Sequence, residues 1–136
     1  MVRSFYARRN ARSLVHFPLP AVPERCVLLT ATLRLFAVSA VSGRTLQALR
    51  VTGSWTEDGV TWASQPPTTS PAAATPSGIG WRQWNVLSQV RAMYTGANRG
   101  FLIRDASEGS GARREQSFRS REAAAAERPQ PVLSFG

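Results

Sequence analysis

The segment Val27–Ser39 (VLLTATLRLFAVS) constrains the fold most strongly, because its side chains alternate in character along nearly its whole length. Small and aliphatic residues fall on one side, namely Ala31, Leu33, Leu35 and Ala37. The other side carries Thr32, Arg34, Phe36 and Val38. A side-chain period of two is that of a β-strand with one buried face. We therefore predict a long strand whose aliphatic side faces a core.

Shorter segments of similar character surround this strand and are separated by turn residues. The further predicted strands are Ser13–Phe17, Leu46–Thr52, Trp81–Val86, Phe101–Arg104, Ser117–Arg121 and Pro131–Phe135. Many short strands with frequent turn signals are typical of an antiparallel β-sandwich. The spacing of Leu87–Thr95 is instead helical, and Gly96 follows it, so we predict one short helix there. The predicted fold class is an all-β sandwich with one short helix.

The remaining segments are predicted to lie outside the strands and the helix. Three of them are expected to be irregular, with at most one helical turn in the last: Pro66–Gly80, Glu108–Arg114 and Glu122–Arg128. Residues 1–12 carry Arg8, Arg9 and Arg12 and are predicted to form a basic N-terminal arm. Residues 13–136 are then expected to form a single domain, which is an ordinary size for one.

The charge of the chain predicts an anionic partner. All 17 basic residues are arginine and the net charge is +9. Arginine forms bidentate hydrogen bonds with carboxylates, phosphates and sulfates. A GC-rich coding sequence would also favour arginine over lysine, but it would leave the charge in place. Cys26 is the single cysteine, so the chain has no internal disulfide and no cysteine-based metal site.

Several phrases of the sequence, taken in order, resemble one family. They are RSLVHFPL, LLTATLRLF, SWTEDGVTWASQP, WNVLSQVRAMYTG, NRGFLIRD, FRSRE and RPQPVLSF, which span roughly residues 12–135. Together they are similar to the DNRLRE domain of bacterial extracellular proteins, which is related to carbohydrate-binding module family 96. The resemblance implies a jelly-roll-like β-sandwich that serves as a non-catalytic accessory module. In some members of the family such a module binds alginate-type acidic polysaccharide.

The resemblance also implies an extracellular or cell-surface location. The first residues, MVRSFYARRNARSLVHF, have no uninterrupted apolar stretch and no small-residue cleavage site, so we do not expect them to be a signal peptide. The sequence contains no run of 18 apolar residues, so we predict no membrane span. The expectation is therefore either a cytosolic protein or a chain whose secretion signal lies elsewhere.

The four tryptophans are assigned different roles. Trp55 and Trp62 flank the turn Glu57-Asp58-Gly59, where they could stack on a sugar ring or fold back on one another. Because the resembled family keeps this phrase in members with different partners, we favour a structural role for both. Trp81 and Trp84 are three positions apart and so point to opposite faces of a strand. We predict that Trp84 is in the core and that Trp81 is available for stacking on a ligand.

Four arginines on predicted strands are the main candidate ligand-binding residues, together with Trp81. They are Arg34, Arg50, Arg82 and Arg104. If their strands are neighbours in one sheet, the four side chains form a basic face suited to uronate carboxylates. The alternative is a solvated face that binds nothing. In the closing phrase FRSRE, we assign Arg121 and Glu122 to a structural ion pair that fixes the strand register.

Catalysis and cofactor chemistry find little support in the sequence. His16 is the only histidine, and it lies at the end of a predicted strand rather than in a recognisable catalytic motif. Asp105 with Glu108 is the best carboxylate pair for a calcium ion, which requires six or more oxygen ligands. We predict a protein that is not an enzyme and has no metal or cofactor.

The function predicted from the sequence is therefore binding of an acidic, uronate-type polysaccharide. A structural or assembly module, in which the same face contacts a neighbouring protein domain, is the alternative. Specific nucleic-acid binding is not expected, since the single helical segment carries only Arg91 and no recognition motif is present. The oligomeric state is not predicted.

Overall fold

The computed structural model of the chain describes residues 2–7, 10–39, 43–56, 59–60, 64–106, 117–118 and 128–136. The strands within these ranges are β1 Val2–Ala7, β2 Asn10–Val15, β3 Leu28–Ser39, β4 Thr45–Val51, β5 Thr68–Pro76, β6 Gly80–Asn85, β7 Phe101–Asp105, β8 Ser117–Phe118 and β9 Gln130–Phe135. One helix, α1, extends over Leu87–Thr95. The predicted all-β sandwich with one short helix is confirmed.

The strands form two antiparallel sheets. The first, sheet A, has the order β1-β2-β7-β4-β5. The second, sheet B, has β3 at its centre, with β6 paired along one side and β9 and then β8 along the other. The chain passes repeatedly from one sheet to the other, because strands of sheet A separate β3 from β6 and β6 from β8 along the sequence.

The main core lies between the two sheets. Its side chains come from alternate positions of the strands and from one face of α1: Val15, Leu28, Ala31, Leu33, Leu35, Leu46, Ala48, Trp84, Val86, Val90, Met93, Phe101 and Ile103. Trp84 has the largest fully buried side chain among them. Its indole Nε1–H donates a hydrogen bond to the backbone oxygen of Leu46, at 3.1 Å. This bond joins β6 of sheet B to β4 of sheet A.

A second apolar cluster lies on part of the outer face of sheet A. Leu14, Val51 and Leu102 have side chains that point away from sheet B. Val60 and the half-buried Trp55, which follow β4, pack on them. These two side chains therefore shield this part of the outer face from water.

Most predicted element boundaries agree with the structure to within a few residues. The long strand β3 begins one residue after its predicted start, and α1 has the predicted bounds. One face of the helix packs on the core through the buried Val90 and Met93. These segments combine a regular apolar period with a clear end signal, so local sequence and tertiary packing favour the same structure.

Two segments differ from their predictions. Thr68–Pro76 forms β5, although a surface loop is predicted there. Among the described strands it pairs with β4 alone and forms an edge of sheet A, where proline is tolerated because the outer side of the strand needs no N–H donor. Val2–Ala7 forms β1 and pairs with β2 rather than belonging to a separate basic arm. Its Val, Phe and Tyr have high strand propensity. The prediction of a basic arm rests on the nearby arginines and does not take this propensity into account.

Some predicted segments lie outside the described residues. These are Glu108–Arg114, residues 119–121 of the predicted strand Ser117–Arg121, and residues 122–127.

Replacing Trp84 by Phe tests the connection between the sheets. We expect the free energy of unfolding to fall by about 2–4 kcal/mol, because the change leaves a cavity and deprives the Leu46 oxygen of a buried donor. Trp81→Phe is the matched control, since it makes the same replacement on a half-buried side chain of the same strand. Trp81→Phe should lower the free energy of unfolding by less than about 1 kcal/mol. Equal losses in urea unfolding would contradict this role for Trp84.

Candidate functional site

The outer face of sheet B carries the strongest candidate site. Side chains opposite one another in an antiparallel pair lie on the same face. In β3 and β6, Phe36 pairs with Trp81 and Arg34 pairs with Gln83. On the other side of β3, Arg34 pairs with Gln130 of β9. These five residues therefore form a patch that extends across three neighbouring strands, and we call it the sheet B patch.

Arg34 is held at the centre of the sheet B patch. Its guanidinium carbon lies 4.3 Å from the ring centroid of Trp81, which is the geometry of a cation–π contact. Its Nη1–H donates to Oε1 of Gln130 at 3.0 Å. Among the described residues, no acidic side chain pairs with Arg34. The guanidinium is thus fixed by an aromatic ring and a neutral amide, and it keeps N–H groups for an external acceptor.

Trp81 and Phe36 give the patch an apolar part. Their ring centroids are 5.4 Å apart and the planes are nearly perpendicular, at 89°. Such an edge-to-face contact fixes both rings and is favourable beyond the area it buries. Both side chains are half-buried, whereas Gln83 beside them is exposed. The arrangement combines a fixed cation, rigid aromatic surface and an exposed amide within one small area.

The other three predicted arginines do not share this face, so the prediction of a single basic face is wrong. Arg82 pairs with the fully buried Leu35, and its side chain therefore starts on the inner face of sheet B. The Arg82 guanidinium lies near the end of β5, where its Nη1–H donates to the backbone oxygen of Pro76 at 3.5 Å. Its Nε is buried and makes no hydrogen bond within the described part of the chain.

Arg50 and Arg104 both belong to sheet A. Arg50 lines a cleft of about 130 Å³ between β5 and α1, whose other lining residues are Thr69, Ser70, Pro71, Ser88, Gln89 and Ala92. Arg104 lies opposite Gln47 on the outer face of sheet A, and its Nε–H donates to Oε1 of that residue at 3.0 Å. Strand alternation separates inner from outer faces but does not say which sheet a strand joins. This is why the sequence grouped four arginines that the fold separates.

The structure describes three of the four tryptophans, Trp55, Trp81 and Trp84. Trp84 is buried and Trp81 lies on the opposite face of β6. Trp55 packs on the second apolar cluster, and its Nε1–H donates to the oxygen of Arg99 at 2.6 Å. Trp62, Arg121 and Glu122 lie outside the described residues, so their structural roles stay predictions.

Asp105 belongs to the carboxylate pair that the sequence offers for calcium. The structure pairs it with Arg44 instead, which no sequence pattern indicates. Both of its oxygens accept hydrogen bonds from Arg44, at 3.1 and 3.3 Å. The Asp105 side chain is only 2% exposed, so the bidentate pair compensates a buried charge. Within the described ranges, no group of three or more His, Cys, Asp or Glu residues is close enough to hold a metal ion.

Sequence reasoning also missed three members of the sheet B patch. Phe36 is on the same predicted side of β3 as Arg34, but no motif of the sequence assigns it to a site. Gln83 and Gln130 carry no charge and belong to no motif, so only the register of β3 with β6 and β9 reveals them. The alternation of β3 and β6 was the one signal that could have found Phe36 and Gln83.

Comparison with known proteins identifies the kind of module. Residues 1–135 match carbohydrate-binding module family 96, which covers nearly the whole chain. A search of the curated proteins finds no match. No helix in the described part of the chain is both long and apolar enough to cross a membrane.

Replacing Trp55 by Phe tests the hydrogen bond between its indole and the segment that precedes β7. The change removes the donor to the Arg99 oxygen, so we expect faster amide hydrogen exchange in residues 52–56 and 98–100 and a loss of about 1–2 kcal/mol in stability. Exchange in β3 and β6 should stay unchanged. The Trp81→Phe protein is the control, because it alters a tryptophan that contacts neither loop segment. Unchanged exchange in residues 98–100 would show that the indole does not fix this loop.

Proposed function

The chain belongs to carbohydrate-binding module family 96, and we propose that it binds acidic, uronate-type polysaccharide through the sheet B patch. In this proposal Arg34 binds a sugar carboxylate, while Trp81 and Phe36 contact the apolar face of a sugar ring. The observation that carries the proposal is the position of the Arg34 guanidinium. It is stacked on Trp81 and bonded to Gln130, with no acidic partner among the described residues.

The chemistry of Arg34 favours a carboxylate. A planar guanidinium offers two parallel N–H groups, which match the two oxygens of a carboxylate better than a single hydroxyl does. Because Trp81 and Gln130 already restrict the side chain, binding costs less conformational entropy than it would for a freely rotating arginine. A neutral glycan would leave the cation without an anionic partner, so the patch should discriminate by charge.

The outer face of sheet B, which carries the sheet B patch, favours a polymer over a small ligand. The outward positions of β3 from Thr30 to Phe36 extend over about 20 Å, at the usual rise per residue of a strand. Neutral polar side chains lie along this line, with Thr32 paired between Asn85 and Val132. Several successive sugar units could therefore contact one module. The net charge of +9 would raise the rate of encounter with a polyanion at low salt.

The module is proposed to serve as an accessory domain of a bacterial extracellular or cell-surface protein. Carbohydrate-binding modules are generally non-catalytic. The ordered phrases that resemble the DNRLRE domain support this subtype, and through it the extracellular setting. Binding would hold a neighbouring domain near its polymer, without chemistry in the module itself.

A matched pair of arginine variants tests the proposal. Arg34→Gln and Arg104→Gln each remove one positive charge from a half-buried arginine that donates to a glutamine, but the two lie on different sheets. We expect Arg34→Gln to weaken binding of alginate or polygalacturonate about tenfold or more, because it removes charge-assisted hydrogen bonds. Arg104→Gln should change the affinity less than about twofold, through net charge alone. Isothermal titration calorimetry at two salt concentrations measures both.

Equal weakening by the two variants would contradict a site at Arg34 and would indicate nonspecific attraction to a polyanion. The absence of binding to any acidic glycan, together with a stable oligomer in light scattering, would favour the assembly module instead. That alternative has one observation in its support. Val38 and Val132, which lie on the same face as Arg34, are 38% and 46% exposed.

A further inference from the structure

A cavity of about 250 Å³ lies at the end of sheet A where β2 ends and β7 begins. Its lining residues are His16, Ser54, Trp55, Asn98 and Arg99. They come from three separate segments, which follow β2, follow β4 and precede β7. None of the five belongs to the sheet B patch. The cavity is thus a separate feature of the molecule.

The walls of this cavity are fixed by hydrogen bonds to the backbone. Trp55 donates to the oxygen of Arg99 at 2.6 Å, and Nδ2 of Asn98 donates to the oxygen of Phe17 at 2.6 Å. The backbone oxygen of Asn98 lies 3.2 Å from Nε2 of His16 and accepts a hydrogen bond from it. These bonds connect all three segments. A site whose walls are held before binding loses little entropy when a ligand enters.

Trp55 has two environments. It packs on the second apolar cluster, which lies on part of the outer face of sheet A. It also lines the cavity, where its ring meets that of His16 edge-on at a centroid distance of 6.5 Å. Part of the Trp55 ring therefore faces the cavity, while the side chain also packs on the second apolar cluster. A rigid indole of this kind can stack on the apolar face of a sugar ring.

Arg99 supplies the charge in the cavity. Its Nη1–H donates to Oγ of Ser54 at 2.6 Å. No acidic side chain of the described residues pairs with it, and its remaining guanidinium N–H groups have no acceptor there. A half-buried guanidinium with a neutral hydroxyl as its partner is suited to a carboxylate ligand. The cavity thus contains one arginine and one tryptophan side chain, which are residue types also present in the sheet B patch.

The size of the cavity limits its ligand. Sites for drug-sized molecules occupy about 300–1,000 Å³, so a cavity below that range suits one sugar ring rather than a chain. The Asn98 amide and the Ser54 hydroxyl provide hydrogen-bonding groups of the kind that sugar hydroxyls need. A recess also accommodates the end of a polymer more readily than its interior, since an internal unit continues in both directions.

We propose that this cavity is a second binding site, which takes a single uronate residue at the end of a polysaccharide chain or as a free sugar. Arg99 binds the carboxylate of the uronate, Trp55 contacts the sugar ring, and Asn98 forms a hydrogen bond with a sugar hydroxyl group. The proposal rests on the proposed function only for the chemical class of the ligand. One module would then hold the interior of one chain on the sheet B patch and a chain end in the cavity.

Titration with monosaccharides, followed by the indole N–H signals in assigned ¹⁵N–¹H spectra, tests the second site. Galacturonate should shift the Trp55 signal in a saturable way and leave the Trp81 signal in place. Galactose, which lacks the carboxylate, should give a dissociation constant at least about tenfold higher. Arg99→Gln should weaken galacturonate binding by a similar factor. Arg91→Gln is the control, because Arg91 is an exposed helical arginine that donates to the Leu28 oxygen.

The outcomes separate this inference from the proposed function. No shift of the Trp55 signal in the wild-type protein overturns the second site, whether or not polyuronate still binds. Equal binding of galactose overturns the assignment to an acidic sugar. Loss of the Trp55 shift in Arg34→Gln would overturn the independence of the two sites. A Trp55 shift without any binding of polymer would instead contradict the proposed function alone.

Discussion

The burial of Trp84 connects the two sheets and orients β6. Its indole is fully buried between the sheets and donates to the Leu46 oxygen, so the side of β6 that carries Trp84 faces sheet A. Trp81 is three positions earlier and must therefore lie on the outer face. There it meets Phe36 and Arg34 of β3. The core contact of one tryptophan thus determines the surface position of the other.

The outer faces of the two sheets have different surroundings. On sheet A, Leu14, Val51 and Leu102 are covered by Trp55 and Val60, so this face contributes to stability. On sheet B, Val38 and Val132 stay exposed beside the polar residues of the patch. An exposed face with a fixed cation and two aromatic rings is suited to recognition rather than to folding. The proposed cavity site arises where the cover of sheet A meets the loops at the end of that sheet.

The sequence predicted those parts of the fold in which a local pattern and the tertiary structure agree. The alternation in β3 and the helical spacing in α1 follow directly from burial on one face, so their positions could be read from the residues. The strand β5 could not be predicted in the same way. Its prolines are compatible with a strand only because it lies at the edge of sheet A, and that position is a property of the whole fold.

The candidate site was predictable only in part, for a related reason. Alternation placed Arg34 outward, but it could not show that Arg104 is on the other sheet or that Arg82 starts on the inner face. Gln130 joins the patch through a pairing between residues 96 positions apart in sequence. Such contacts depend on strand order and register, which no short motif encodes. The charge of the chain indicated an anionic partner but not its location.

A crystal structure of the protein with a short oligouronate would show whether Arg34 binds the sugar carboxylate. We expect a carboxylate oxygen within about 3 Å of the Arg34 guanidinium nitrogens. The sugar ring beside it should contact Trp81, and the Gln130 hydrogen bond should be retained. An oligosaccharide bound only on sheet A, with no contact to Arg34 or Trp81, would contradict a binding site on sheet B.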